Sequence, residues 1–139
     1  MECLYELTLC YDSNDGHTES FFIGFFETRM EAEAIGKRYL KEVAGFKDYD
    51  CYTRILELPL VGKENYVGKV YRFVGWNVSE DYDEEDIIYS SCFTLEEEAT
   101  EVFLQTKAEF PREEWAFNCY VTGKCCWTEG FVCDTFGGE

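Results

Sequence analysis

Residues 4–15 read LYELTLCYDSND, and residues 70–81 read VYRFVGWNVSED. Laid over each other at an offset of 66, Tyr5 meets Tyr71, Leu7 meets Phe73, Ser13 meets Ser79 and Asp15 meets Asp81. The correspondence continues in order down the chain. Phe26, Ala32 and Ile35 meet Phe93, Ala99 and Val102 at an offset of 67. Asp50-Cys51-Tyr52 meets Asn118-Cys119-Tyr120 at 68, and Gly62-Lys63 with Tyr66 meets Gly123-Lys124 with Trp127 at 61. The offset changes only where loops absorb it, so the chain reads as an internal duplication. The expected repeats are 1–66 and 67–139, packed as one compact unit.

The local patterns repeat as well. Tyr5, Leu7, Leu9 and Tyr11 alternate with Glu6, Thr8 and Cys10, which predicts a half-buried strand. Asn14-Asp15-Gly16 is a turn signal, and Phe21 to Phe26 predicts the return strand of a hairpin. Thr28-x-x-Glu31 reads as a capping box, and Ala32, Ile35, Tyr39 and Val43 follow at helical spacing towards a stop at Gly45. A third strand is expected over Cys51 to Leu58, ended by Pro59, with a fourth beginning near Val67. The second repeat offers strands over Val70–Val78 and Ile87–Phe93, then a second capping box at Thr94-x-x-Glu97. Leu95, Ala99, Val102, Phe103 and Phe110 form the helix stripe and its exit, with Pro111 just beyond. Trp115–Thr122 and Trp127–Cys133 are the last two expected strands. The expected fold is therefore α+β, two ββαββ repeats, with one helix per repeat packed on a face of antiparallel sheet.

Composition narrows the function. A chain of 139 residues with 46% hydrophobic and 18% aromatic residues has enough apolar surface to form a core and is not disordered. Acids outnumber bases 29 to 12, for a net charge of −17. That argues against direct nucleic-acid binding, because nothing neutralises a run of phosphates, and against an anionic membrane surface. The longest apolar run, Phe21 to Phe26, is far short of a membrane span, and Met1-Glu2-Cys3-Leu4 carries no basic leader. A cytoplasmic location is expected. The eight cysteines, Cys3, Cys10, Cys51, Cys92, Cys119, Cys125, Cys126 and Cys133, include no C-x-x-C pair. They read as small buried hydrophobes kept reduced rather than as metal ligands.

Two short stretches resemble the signatures of a small bacterial family of unknown function. Gly45-Phe46-Lys47-Asp48-Tyr49 is similar to its G-F-x-D-y stretch, and Trp127-Thr128-Glu129-Gly130-Phe131 to its closing W-x-E-G-F. The chain resembles a diverged tandem copy, with Glu109-Phe110-Pro111-Arg112 and Tyr66-Val67-Gly68 at the two remaining positions. The resemblance implies no activity, cofactor or catalytic residue. Its members resemble small acidic proteins that serve as immunity proteins or inhibitors.

Chemistry-bearing motifs are sparse. The sole histidine, His17, lies in a turn and reads as a solvated residue rather than a catalytic base. No phosphate-binding glycine motif occurs. An EF-hand counted from Asp81 would require glycine at position 86 and glutamate at 92, where Asp86 and Cys92 stand. Trp76, Trp115, Trp127 and Tyr120 read as packing residues. The informative feature is charge asymmetry: residues 1–66 carry net −6 and residues 67–139 net −11. Glu96–Glu98 favour a helix dipole, but the run Glu80, Asp81, Tyr82, Asp83, Glu84, Glu85, Asp86 has no such structural reason. A tyrosine among loop acids suits a protein interface. The sequence therefore predicts a non-enzymatic, cofactor-free, acidic protein-binding module of inhibitor or immunity type. Its partner is expected to be a basic protein, bound through 80–86. Two alternatives are a nucleic-acid-mimicking inhibitor of a DNA-binding defence system and a small carboxylate-based hydrolase with a pocket beside Glu129 or Asp134.

Overall fold

The computed structural model describes residues 2–14, 16–128 and 130. Within them the protein is a mixed α+β fold of seven strands and two α-helices. In chain order these are β1 (Cys3–Asp12), β2 (Thr18–Phe26), α1 (Arg29–Glu42), β3 (Cys51–Val61), β4 (Lys69–Val78), β5 (Glu84–Tyr89), β6 (Cys92–Phe93), α2 (Glu96–Glu109) and β7 (Glu114–Val121). A 3-10 turn at Lys63–Asn65 separates β3 from β4.

The chain divides into two compact units. The first holds Leu4–Glu57 and takes back residues 123–128. Its strands run β2-β1-β3. β1 and β2 are antiparallel from Tyr5 opposite Phe26 to Asp12 opposite Thr18. Alternation predicts one wet face for β1, yet Leu7, Thr8, Leu9 and Cys10 are all buried, so this central strand is covered on both faces. α1 starts as expected: the Thr28 hydroxyl accepts a hydrogen bond from Glu31 N at 3.1 Å. Ala32 and Tyr39 then join Leu7, Leu9, Ile23, Phe26 and Phe46 in one apolar core.

The G-F-x-D stretch forms the turn that leaves α1. The Asp48 carboxylate accepts from Gly45 N at 3.0 Å, and Phe46 is buried edge-on to Phe21 and Tyr39. Trp127, the first residue of the closing W-x-E-G-F stretch, meets the same Phe21 ring, centroids 5.1 Å apart. Two motifs lying in different halves of the sequence thus pack on one phenylalanine ring within one unit.

The second unit holds residues 2–3 and Leu58–Thr122. β4 is its central strand. β7 pairs antiparallel on one side, from Lys69 opposite Val121 to Trp76 opposite Glu114, and β5 and β6 lie on the other. Phe73, Phe93 and Ala99 form the core with Val102, Phe103, Trp115 and Phe117. Gly75 is required here, since a Cβ at that position would lie 2.5 Å from the Trp115 ring.

Several expectations fail for identifiable reasons. Pro59 does not end β3: it forfeits a single backbone donor, and pairing resumes at once, with Leu60 N donating to Glu2 O while Leu60 and Val61 pair in parallel with Cys92 and Phe93. The return strand expected over Ile87–Phe93 is broken at Ser90-Ser91, because the Ser90 hydroxyl accepts from Phe73 N at 2.9 Å in place of a ladder bond. Thr94 does not cap α2. Its buried hydroxyl is 2.6 Å from Gly62 O and 3.2 Å from Val61 O, and the helix starts at Leu95 with no side-chain cap. Phe110 is 49% exposed rather than packed. Of the strand expected over Trp127–Cys133, Trp127, Thr128 and Gly130 are irregular, and the rest lies outside the described residues. Cys10 and Cys92 are buried as expected, whereas Cys119 and Cys126 are exposed and Cys133 lies outside the described residues.

The two exits are exchanged. The end of β3 leaves the strands of the first unit to dock on β6, where Thr94 N and its hydroxyl hold Val61 O. After β7 the chain returns to the first unit. There Gly123 N donates to Phe25 O, Cys126 N to Ile23 O, and the Tyr39 hydroxyl to Trp127 O at 2.6 Å.

Candidate functional site

The acidic run occupies the tip of the β4–β5 hairpin and the start of β5. Asn77 and Glu113 fix its base: Glu113 N donates to Asn77 Oδ1 at 3.0 Å, and Val78 N to Glu113 Oε1 at 2.7 Å. The tip then winds around one serine. Ser79 N donates to Asp83 O at 2.8 Å, and Tyr82 N to Ser79 O at 2.9 Å. The Ser79 hydroxyl accepts from Asp81 N at 3.2 Å and Asp83 N at 3.0 Å. Ser79 thus takes up the N–H groups of Asp81, Tyr82 and Asp83, and no carboxylate of the tip is spent on them.

Glu80, Asp81, Asp83, Glu84 and Glu85 are exposed, and among the described residues none has a cation within ion-pairing distance. Asp86 differs slightly, its carboxylate accepting from Asn77 Nδ2 at 3.1 Å. Arg112 approaches the run but donates to the backbone, Nε to Asp86 O at 2.5 Å, and leaves the carboxylates unneutralised. Such a concentration of unpaired charge has a strong field near the surface that ionic strength screens.

Tyr82 stands at the centre of this group, 87% exposed and at φ 65°. Asp86 also has a positive φ, 53°. These are the two non-glycine residues in the left-handed region among those described. The first hairpin is built the same way, with Ser13 N donating to His17 O at 2.8 Å and Gly16 N to Ser13 O at 3.2 Å. Gly16, 66 residues before Tyr82, fills the left-handed position at φ 91°. A side chain in that conformation costs about 1–2 kcal/mol. Sequence reading singled out Tyr82 for its acidic surroundings and missed the strain. Carrying the offset of 66 one position past Asp15 would have exposed it.

The other features noted in the sequence lie apart from this tip. Trp115 packs against Phe103 and Phe73, and Trp127 packs against Phe21. Glu64, Glu97, Glu98 and Glu101 line a separate open hollow of about 470 Å³ with Gly62, Asn65 and Leu95. Among the described residues no group of three or more His, Cys, Asp or Glu is placed to hold a metal ion, and no helix is long and apolar enough to cross a membrane. Glu129 and Asp134 lie outside the described residues. Burial, followed by the neighbouring Cys125, raises the Tyr39 phenol above the ordinary tyrosine value. No family model, curated protein or solved structure matches the chain.

Proposed function

We propose that this protein is an acidic binding module of inhibitor or immunity type that acts in the cytoplasm and seizes a basic protein with the tip Glu80–Asp86. The observation that carries this reading is Tyr82. An exposed aromatic held in a conformation that the equivalent turn gives to Gly16 is a cost without a folding benefit, and an anchor for a partner accounts for it. The unneutralised carboxylates around it supply steering and selectivity for positive charge. Their concentration in one tip favours a patch over the extended row of charge that nucleic-acid mimicry requires. No chemical step is part of this reading.

The same comparison supports two diverged copies, related to the small bacterial family that the G-F-x-D and W-x-E-G stretches resemble; of the expected ββαββ plan each copy has the ββαβ part among the described residues, without its fourth strand. Each copy places its first strand between its second and third, β2-β1-β3 in one and β5 and β6, β4, β7 in the other, and turns its hairpin on an equivalent serine.

The test is a pull-down from host lysate at low and then high salt, followed by stopped-flow measurement with the identified partner. The comparison protein carries Asp81→Asn, Asp83→Asn, Glu84→Gln, Glu85→Gln and Asp86→Asn. The expected outcome is a basic partner, eluted by salt, whose association slows about 10- to 10³-fold with the neutralised tip. An unchanged rate overturns the proposal.

A further inference from the structure

We propose that the partner binds as an added strand, an extended lysine- or arginine-bearing segment pairing with the outer edge of β5. This deepens the reading above and rests on it. β5 pairs with β4 and with no other strand, so among the described residues no strand flanks its outer side. A free edge presents a row of backbone donors and acceptors that an extended peptide can complete.

Its side chains are unusual for an edge that only needs to be wet. Ile87 is 40% exposed and Tyr89 60%, and of the six residues only Ile88 is half-buried. Tyr89 is held in place: the Arg72 guanidinium lies 4.8 Å from its ring centroid and donates through Nε to Ser90 O at 3.1 Å. The strand also has two distinct parts. At Asp86 the pairing with β4 slips, since Glu85 is opposite Asn77 while Ile88 is opposite Gly75, leaving Asp86 and Ile87 to share the place facing Trp76. Beyond that bulge, Ile88 and Tyr89 return to regular register with Gly75 and Val74.

Charge selects the occupant. Glu84, Glu85 and Asp86 occupy half of the strand, directly after the acidic tip. A second copy of β5 would set a further three carboxylates on a strand about 4.8 Å away, and repulsion opposes that pairing. A basic strand places its cations against those carboxylates and its alternate apolar side chains against Ile87 and Tyr89. The acids that keep this edge from self-association are then the same groups that specify the partner.

The probe is a synthetic peptide of about ten residues alternating lysine and valine, compared with the same peptide N-methylated at alternate amides. N-methylation keeps charge and side chains but removes the donors for strand pairing. Binding is read by fluorescence anisotropy at low salt, and the site by amide hydrogen exchange of the full protein. The proposal expects slowed exchange at Ile87, Ile88 and Tyr89, about tenfold weaker binding of the methylated peptide, and a similar loss for Ile87→Lys at unchanged melting temperature. Equal binding of both peptides, protection elsewhere, or no binding of the unmethylated peptide overturns strand addition. Undiminished binding of the unmethylated peptide to the protein with the neutralised tip overturns the acidic-tip reading instead, so the two failures are separable.

Discussion

Ser13 and Ser79 close their hairpins alike, each N–H donating at 2.8 Å to the carbonyl four residues on and each carbonyl accepting from the residue three ahead. What hangs on the turns differs. In the first hairpin the left-handed position is Gly16, with nothing within 4 Å of where a Cβ would sit, and the Asp12 carboxylate is occupied by the Thr18 and Tyr52 hydroxyls at 2.7 and 3.2 Å. In the second it is Tyr82, and the carboxylates around it make no ion pair among the described residues. The first tip is optimised to fold. The second carries left-handed strain at a side-chain-bearing residue and acids without an ion pair, and it is there that the proposal places binding.

Four measurements break or sharpen this contrast. The largest effect is expected from charge. Neutralising Asp81, Asp83, Glu84, Glu85 and Asp86 slows association with a basic partner about 10- to 10³-fold with the circular dichroism spectrum unchanged, whereas Asp12→Asn leaves the association rate as it was.

Next come the helix starts, where the two halves share T-x-x-E and use it differently. Thr94→Val leaves Gly62 O without its hydroxyl donor and is expected to cost about 1–3 kcal/mol in urea denaturation. Thr28→Ala loses an exposed cap and is expected to cost about 1 kcal/mol. Equal costs would mean that Thr94 does not fasten the exit of β3.

A third comparison concerns the other exit. Tyr39→Phe removes the hydrogen bond to Trp127 O and is expected to cost about 0.5–1.5 kcal/mol. The raised Tyr39 pKa adds a pH signature. The folded state favours the neutral phenol, so the contribution is intact below the ordinary tyrosine value near 10 and lost as pH rises through the folded value. Stability of the wild type is expected to fall more steeply than that of Tyr39→Phe in this alkaline range.

The smallest effect is at the tips themselves. Tyr82→Gly relieves about 1–2 kcal/mol of strain but loosens the unfolded chain by about 0.5–1, for a net gain of at most about 1.5 kcal/mol. Gly16→Tyr is expected to lose about as much. Tyr82→Gly is also expected to weaken partner binding while raising the melting temperature. A drop in melting temperature would show that the ring serves the fold.

The sequence carried the elements but not their divergence. The strand over 5–11, though not its burial on both faces, the helical stripe from Ala32 to Tyr39 and the Thr28 cap were legible because each is decided within a few residues. Thr94 carries the same local signal and behaves differently because Val61 O and Gly62 O, more than thirty residues away in sequence, capture its hydroxyl. The split between β5 and β6 was hidden for the same reason, since the Ser90 hydroxyl answers to Phe73 on a neighbouring strand. At the candidate site the acids were plain from composition. The free edge of β5 was not, because a strand's neighbours are a property of the whole topology.

The exchange of exits has a consequence for how the protein is made. Residues 4–57 leave the ribosome first, yet the segment from Gly123 to Thr128 that covers β2 is synthesised only after all of Leu58–Thr122. The unit that begins first must therefore finish last, against the usual vectorial order in which an N-terminal domain matures while the remainder is still being translated. Nascent chains stalled with residue 122 just outside the exit tunnel should leave residues 4–57 protease-sensitive, and a few further codons should restore resistance.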